Sequence, residues 1–193
     1  MAHRVAMTEN LAAVLLSYLS EAGEHERGGV LLGHRNPSVT WVSMAVFPPQ
    51  LLRDTMACEF DVSSLNVIHS AKDRLDRQLA LQLGTIVGWV HSHPRLGLFL
   101  SGTDEGTLSA WRQLDPTAVA VVADPHRPGQ AGEQLAWWRA PGPGHRLVLA
   151  PSTSPILTIH QVATVAEALS KSADGPGGWD IVTARVVLRI IGG

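Results

Sequence analysis

Residues Gly84–Asp104 read GTIVGWVHSHPRLGLFLSGTD, and their pattern organises the rest of the chain. The apolar run before His91 is short, rich in β-branched residues and bounded by Gly84 and Pro94, which predicts a buried strand. Side chains alternate faces along a strand. His91 and His93 therefore point the same way, with Cα atoms roughly 6–7 Å apart, and Ser92 points the other way. Two imidazole nitrogens so placed can meet one ion at about 2 Å each. Pro94 ends the strand and stiffens the exit that carries the second histidine. Ser101 and Asp104 then form an S-x-x-D, which opens a helix and brings a carboxylate to its first turn. Two imidazoles, one carboxylate and an open fourth position make up the donor set of a catalytic zinc. Taken singly, an H-x-H on a strand is commonly incidental, and S-x-x-D is also a capping box. The two readings of Asp104 are compatible, because a cap residue can also be a ligand.

Outward from this stretch, strands and helices alternate without a strict βαβ rhythm. Leu11, Val14, Leu15 and Leu19 predict a helix over 8–22. VLLGH (30–34) and SVTWVSMAVF (38–47) read as strands, the second stopped by Pro48 and Pro49. Leu65, Ile68, Ala71, Leu75 and Leu79 share a helical face over 61–80, with Asp61 placed to cap it. A helix is expected from Thr103 to Leu114, then strands in TAVAVVAD and EQLAWWRA. In the second, one of Trp137 and Trp138 should face inward and the other outward, free to touch a partner. PGPGH (141–145) marks a turn or boundary, and PSTSP is linker-like. Residues 160–171 suit a helix, and WDIVTARVVLRII has strand character.

The totals narrow the function classes. In 193 residues, 45% are hydrophobic and 17% charged, enough apolar material for a core. The formal net charge is −2 and no basic run occurs, which argues against nucleic acid or an anionic membrane surface as partner. Cys58 is the single cysteine, so no intramolecular disulfide forms and a reducing compartment is expected. It reads as a small hydrophobe rather than a nucleophile. LAAVLLSYL lacks the flanks of a signal peptide, and no run reaches the ~20 apolar residues of a membrane span. A soluble, cytoplasmic protein is the expectation. The remaining histidines (His3, His25, His34, His69, His126, His145, His160) have no comparable partner pattern and are read as non-ligands.

H-x-H-P-x6-S-x-x-D with an upstream glutamate resembles the JAMM (MPN+) zinc metalloprotease family at every motif position. VGWVHSHP, LFLSGTD and AVAVVADP are similar to the proteasome-lid deubiquitinase and the signalosome deneddylase. ERGGVLLG resembles the family's glutamate segment and nominates Glu26 over nearby Glu21 and Glu24. The likeness covers roughly residues 8–140. It implies one α/β MPN (JAB) domain over 1–150, a central mixed β-sheet flanked by helices. Residues 151–193 would be a short C-terminal extension, packed on that domain or flexible. It also implies one Zn2+ per chain on His91, His93 and Asp104. Glu26 would act as general base and then acid, and Ser101 would stabilise the oxyanion.

The implied substrate is a ubiquitin-like protein or its conjugates, cut at the amide after a C-terminal Gly-Gly. A second MPN-type or regulatory partner is compatible with the family. The compact form resembles the prokaryotic members. Two other readings stand beside this one: a partner-gated MPN scaffold, and a hydrolase of amino-acid conjugates of a sulfur-carrier protein. The sequence closes with VVLRIIGG, and Gly192-Gly193 is similar to the tail of a ubiquitin-like protein. Frayed termini are often glycine-rich; the bolder reading is a product mimic that visits the active-site groove.

Overall fold

The computed structural model describes residues 2–55, 58–61, 63–79, 84–151, 159–172 and 178–190. The readings made for Gly192, Gly193, most of PSTSP and the side chains of Cys58, Leu79 and His160 lie outside the described residues. The chain begins with β1 (Arg4–Thr8) and α1 (Glu9–Ser20), then β2 (Gly28–Arg35) and β3 (Val39–Phe47). The hairpin β4 (Gln50–Arg53) and β5 (Cys58–Phe60) precedes α2 (Ser63–Leu79) and β6 (Thr85–Ser92). After α3 (Gly102–Leu114) come β7 (Val119–Ala123), β8 (Leu135–Trp138), β9 (His145–Arg146) and β10 (Val148–Ala150). The last elements are α4 (Ile159–Ser172), β11 (Trp179–Thr183) and β12 (Val187–Ile190). No helix among the described residues is long and apolar enough to cross a membrane.

The main sheet is mixed and runs β10-β1-β3-β2-β6-β7-β8-β9, with β11 added to β3 and β12 to β11. Its two end strands are chain neighbours. β9 pairs with β8, β10 pairs with β1, and only Leu147 separates them. One short run thus joins both ends of the strand order, and the sheet curls round on itself.

The caps form as the side-chain chemistry directs. Thr8 Oγ1 accepts the Leu11 N–H at 3.1 Å at the start of α1, and the Asp61 carboxylate accepts the Ser63 N–H at 2.8 Å ahead of α2. Helix α1 buries Leu11, Leu15 and Leu19 against Val5, Met7, Val90 and Val121 on one face of the sheet. On the other, α2 and α4 cover Val30, Leu32, Met44 and Ile181, and α3 covers Trp89, Ala120, Val122 and Trp138 through Leu108. Each such leucine contributes roughly 1.5–3 kcal/mol of burial.

One expectation changes. Trp137 and Trp138 are 5% and 1% exposed, so neither ring faces solvent. The reason is that both faces of β8 are covered: Trp137 packs in the α1 core and Trp138 in the α3 core. The strand character read in WDIVTARVVLRII is present, as a hairpin. β11 and β12 pair antiparallel, with the Thr183 hydroxyl donating to the Val186 carbonyl at the turn. The architecture expected from the family resemblance, a single α/β domain with a mixed sheet flanked by helices, is the one observed.

Candidate functional site

β6 delivers the two histidines to the face covered by α3. His91 lies in the strand and His93 one residue beyond it, where its N–H still continues the ladder to Ala123 O at 2.7 Å. Ser92 points to the opposite face and accepts the Arg27 N–H on its hydroxyl at 3.0 Å. The two imidazole Nε2 atoms come within 2.9 Å of each other. His91 Nε2 is 3.1 Å from Asp104 Oδ1, and His93 Nε2 is 3.4 Å from Asp104 Oδ2. All three side chains are buried, and they form the only such His/Cys/Asp/Glu group among the described residues.

Asp104 reaches this point from the N3 position of α3. Ser101 Oγ accepts the Asp104 N–H at 3.2 Å, and Asp104 Oδ2 accepts the Ser101 N–H at 2.7 Å. The capping box and the convergent carboxylate are therefore one structure. The loop between His93 and Ser101 is fixed by a residue the sequence reading left aside. Asp124, 3% exposed, accepts the Arg95, Gly97 and His126 N–H groups at 3.0, 3.1 and 3.1 Å. Arg95 is held in the left-handed region at φ 62°. The His126 contact is a local Asx turn, but the two bonds that hold the loop are not legible, because their donors lie 29 and 27 residues upstream.

Glu26 precedes β2, is 4% exposed and places Oε1 3.7 Å from His93 Nε2. Glu21 and Glu24 instead pair at the surface, with Arg189 and Arg95. Burial pushes the Glu26 carboxyl up to about 7; His93 opposes the shift, and Asp104 and Asp54 add to it. Burial holds His91 below its ordinary value against the opposing pull of Asp104. Burial alone would raise Asp104, but hydrogen bonds from His91, His93 and Ser101 outweigh it and hold the carboxyl well below its usual range.

This donor set fits a tetrahedral cation. Donors about 2 Å from a shared ion at tetrahedral angles stand about 3.3 Å apart; the two Nε2 atoms are 2.9 Å apart, Asp104 approaches His91 with Oδ1 at 3.1 Å and His93 with Oδ2 at 3.4 Å, and one ligand atom from each residue can be chosen so that all lie within 4.8 Å of one another. Neither Nδ1 has a hydrogen-bond partner. The rings are oriented by aromatic packing instead: Trp89 stacks on His91 at 4.5 Å, and Phe99 packs on His93 at 4.8 Å. The His91, His93 and Asp104 group could thus hold a metal ion.

Comparison with known proteins agrees with this geometry. An uncharacterized protein of Caenorhabditis elegans is 33% identical over 96 residues, 49% of this chain and 30% of the relative. The COP9 signalosome complex subunit 5 of Neurospora crassa is 50% identical over 46 residues, 24% of this chain and 14% of the relative. The ubiquitin carboxyl-terminal hydrolase RPN11 of Saccharomyces cerevisiae is 52% identical over 40 residues, 21% of this chain and 13% of the relative. The matched segments thus span 30% or less of each relative. The family described as prokaryotic homologs of the JAB domain matches residues 8–140, well over half of the 193. The chain belongs to that family of prokaryotic homologs of the JAB domain.

Proposed function

We propose that the chain is a zinc-dependent metalloisopeptidase, hydrolysing the amide bond after the C-terminal Gly-Gly of a ubiquitin-like protein and releasing it from conjugates or precursors. The observation that carries this reading is the convergence of His91, His93 and Asp104 with a buried glutamate, Glu26, beside them. The likeness to the yeast relative, a ubiquitin carboxyl-terminal hydrolase, supports the same reaction class.

In this reading His91, His93 and Asp104 hold one zinc per chain. When bound, zinc supplies a Lewis acid and brings the pKa of water towards 7. The Glu26 carboxylate takes a proton from the attacking water and returns it to the nitrogen of the leaving amine. Ser101 Oγ already accepts the Asp104 N–H, which leaves its own proton free to turn towards the oxyanion that develops on the scissile carbonyl. A Gly-Gly tail suits such a site because it is thin and extended and can add as a strand at a sheet edge.

The same proposal assigns residues 1–150 to the catalytic unit and 151–193 to an extension packed on it. In support, the family match ends at 140, α4 rests against α2, and β11 pairs with β3. A cytoplasmic setting rests on the single cysteine.

The test is zinc content and cleavage, measured together on wild type and Glu26→Gln with ubiquitin-like Gly-Gly amide fusions as substrates. About one zinc in each protein with cleavage by wild type alone is the expected result. Zinc without cleavage would favour the partner-gated scaffold, and absence of zinc from both would sink the reading.

A further inference from the structure

The segment Glu26–Gly28 enters the sheet beside a strand that cannot fully pair with it. β2 and β3 are in register at Val30↔Val46, and continuing that register sets Pro48 opposite Gly28. Pro48 and Pro49 have no N–H to donate. At Gly28, both the N–H and the carbonyl face this deficient side. They are met by a side chain: Gly28 N–H donates to Gln50 Oε1 at 3.0 Å, and Gln50 Nε2 donates back to Gly28 O at 3.0 Å. Gln50 Nε2 also donates to Pro48 O at 2.7 Å. The amide of Gln50 thus does the work of a missing backbone partner, closing a two-bond ring on Gly28. Four residues on, the Asp54 carbonyl accepts the Glu26 N–H at 2.7 Å. The two ends of β4, Gln50 at its start and Asp54 just past its close, therefore grip the Glu26–Gly28 segment at two backbone points. On its other side, Arg27 is tied to Ser92, the residue between the two histidines, through bonds of 3.0 and 3.1 Å.

We infer that Gln50 is a positioning residue for the reaction. Its amide bonds are to Gly28 and Pro48 and not to the three convergent side chains; it fixes the backbone two residues from Glu26, and through it the distance from the Glu26 carboxylate to His93. The inference rests on the function proposed above and adds the device that aims the general base. A general base works only within hydrogen-bond reach of its proton, and a displacement of about 1 Å from a change outside the chemistry can lower a rate on the order of 100-fold. Backbone pairing by a strand would do the same job. Here a double proline removes that option, and one glutamine side chain replaces it.

The test uses the full chain with Gln50→Met, which keeps the length and loses the amide, and Gln50→Glu, which keeps an acceptor for the Gly28 N–H and loses the donor to Gly28 O. Zinc content, kcat and KM on a Gly-Gly amide fusion, and hydrogen exchange at the Gly28 and Glu26 amides are measured for each. In Gln50→Met, kcat should fall by about 10- to 100-fold, with KM within about twofold and zinc content unchanged. Exchange at Gly28 should accelerate. Gln50→Glu should lie between wild type and Gln50→Met, and it provides the readouts if Gln50→Met does not fold. An unchanged kcat overturns the inference, as does a loss of kcat accompanied by loss of zinc, which would make Gln50 merely structural. If wild type cleaves no fusion, the proposed function fails. The exchange rates then still decide whether Gln50 holds the segment: slow exchange at Gly28 in the variants rejects the clamp, and fast exchange retains it.

Discussion

Asp104 serves two duties, and its Oδ2 shares in both, lying 3.4 Å from His93 Nε2 as well as on the cap. Oδ2 closes the capping box on the Ser101 N–H, and Oδ1 faces His91. The duties separate by substitution. Asp104→Asn keeps an acceptor for the cap but removes the charge a dication needs, so helix α3 should persist while metal binding is lost. Asp104→Ala removes both and should be less stable than Asp104→Asn by about 1 kcal/mol. Zinc stoichiometry and chemical denaturation of the two proteins check this; equal zinc in Asp104→Asn and wild type would remove Asp104 from the ligand set. The residues of this site were legible in the sequence in proportion to how local their chemistry is. His91, His93, Ser101 and Asp104 declare themselves by type and spacing within fourteen residues. Gln50 and Asp124 do not, because an amide or carboxylate that satisfies backbone N–H groups across a loop leaves no periodic mark.

Among the elements, β6 depends on a close approach that only glycine allows. A Cβ at Gly88 would lie 1.9 Å from the Val119 carbonyl oxygen on β7, and one at Gly29 would lie 2.7 Å from the Phe47 ring. The first obstacle is backbone within a paired strand and the second is a side chain that can turn. Gly88→Ala should therefore destabilise more than Gly29→Ala, which is expected to cost about 1–3 kcal/mol by overpacking. Urea midpoints in the reverse order would contradict this reading of the β6–β7 contact. Long helices and strands were anticipated from their periodicity, whereas β1 and the β4–β5 hairpin were not. β1 is five residues that gain their partners only from β3 and β10, the latter far along the chain. β4–β5 is short and bulged, so it offers no sustained alternation for a pattern to reveal. The expectation of one outward tryptophan failed for a related reason: alternation gives the two faces of β8 but not that helices cover both.

For the molecule as a whole, one ion pair ties separate parts of the fold. Arg35 at the end of β2 pairs with Asp115 after α3 and donates to the Ile86 carbonyl at 2.8 Å. Burial raises Asp115, but Thr117 and Arg35 outweigh it and hold its carboxyl below the usual range. A carboxyl whose folded value is depressed stabilises the fold above its unfolded value, about 3.9. That contribution is lost as the pH falls through the folded value. Wild type should exceed Asp115→Asn in stability at pH 7, and the gap should narrow below about pH 4; a gap independent of pH would exclude the ion pair as its source. The joining of the sheet through β9 and β10 has a consequence in time. Ala6, Met7 and Thr8 pair with Val148, Leu149 and Ala150, about 140 residues further on. At ribosomal rates of about 5–20 residues per second, the first strand waits on the order of ten seconds for its second neighbour to be made. Contacts this distant also place the chain among slow folders, in the millisecond-to-second range. During synthesis one side of β1 is an open template for other chains, and the nascent protein is most vulnerable to aggregation until Ala150 has emerged.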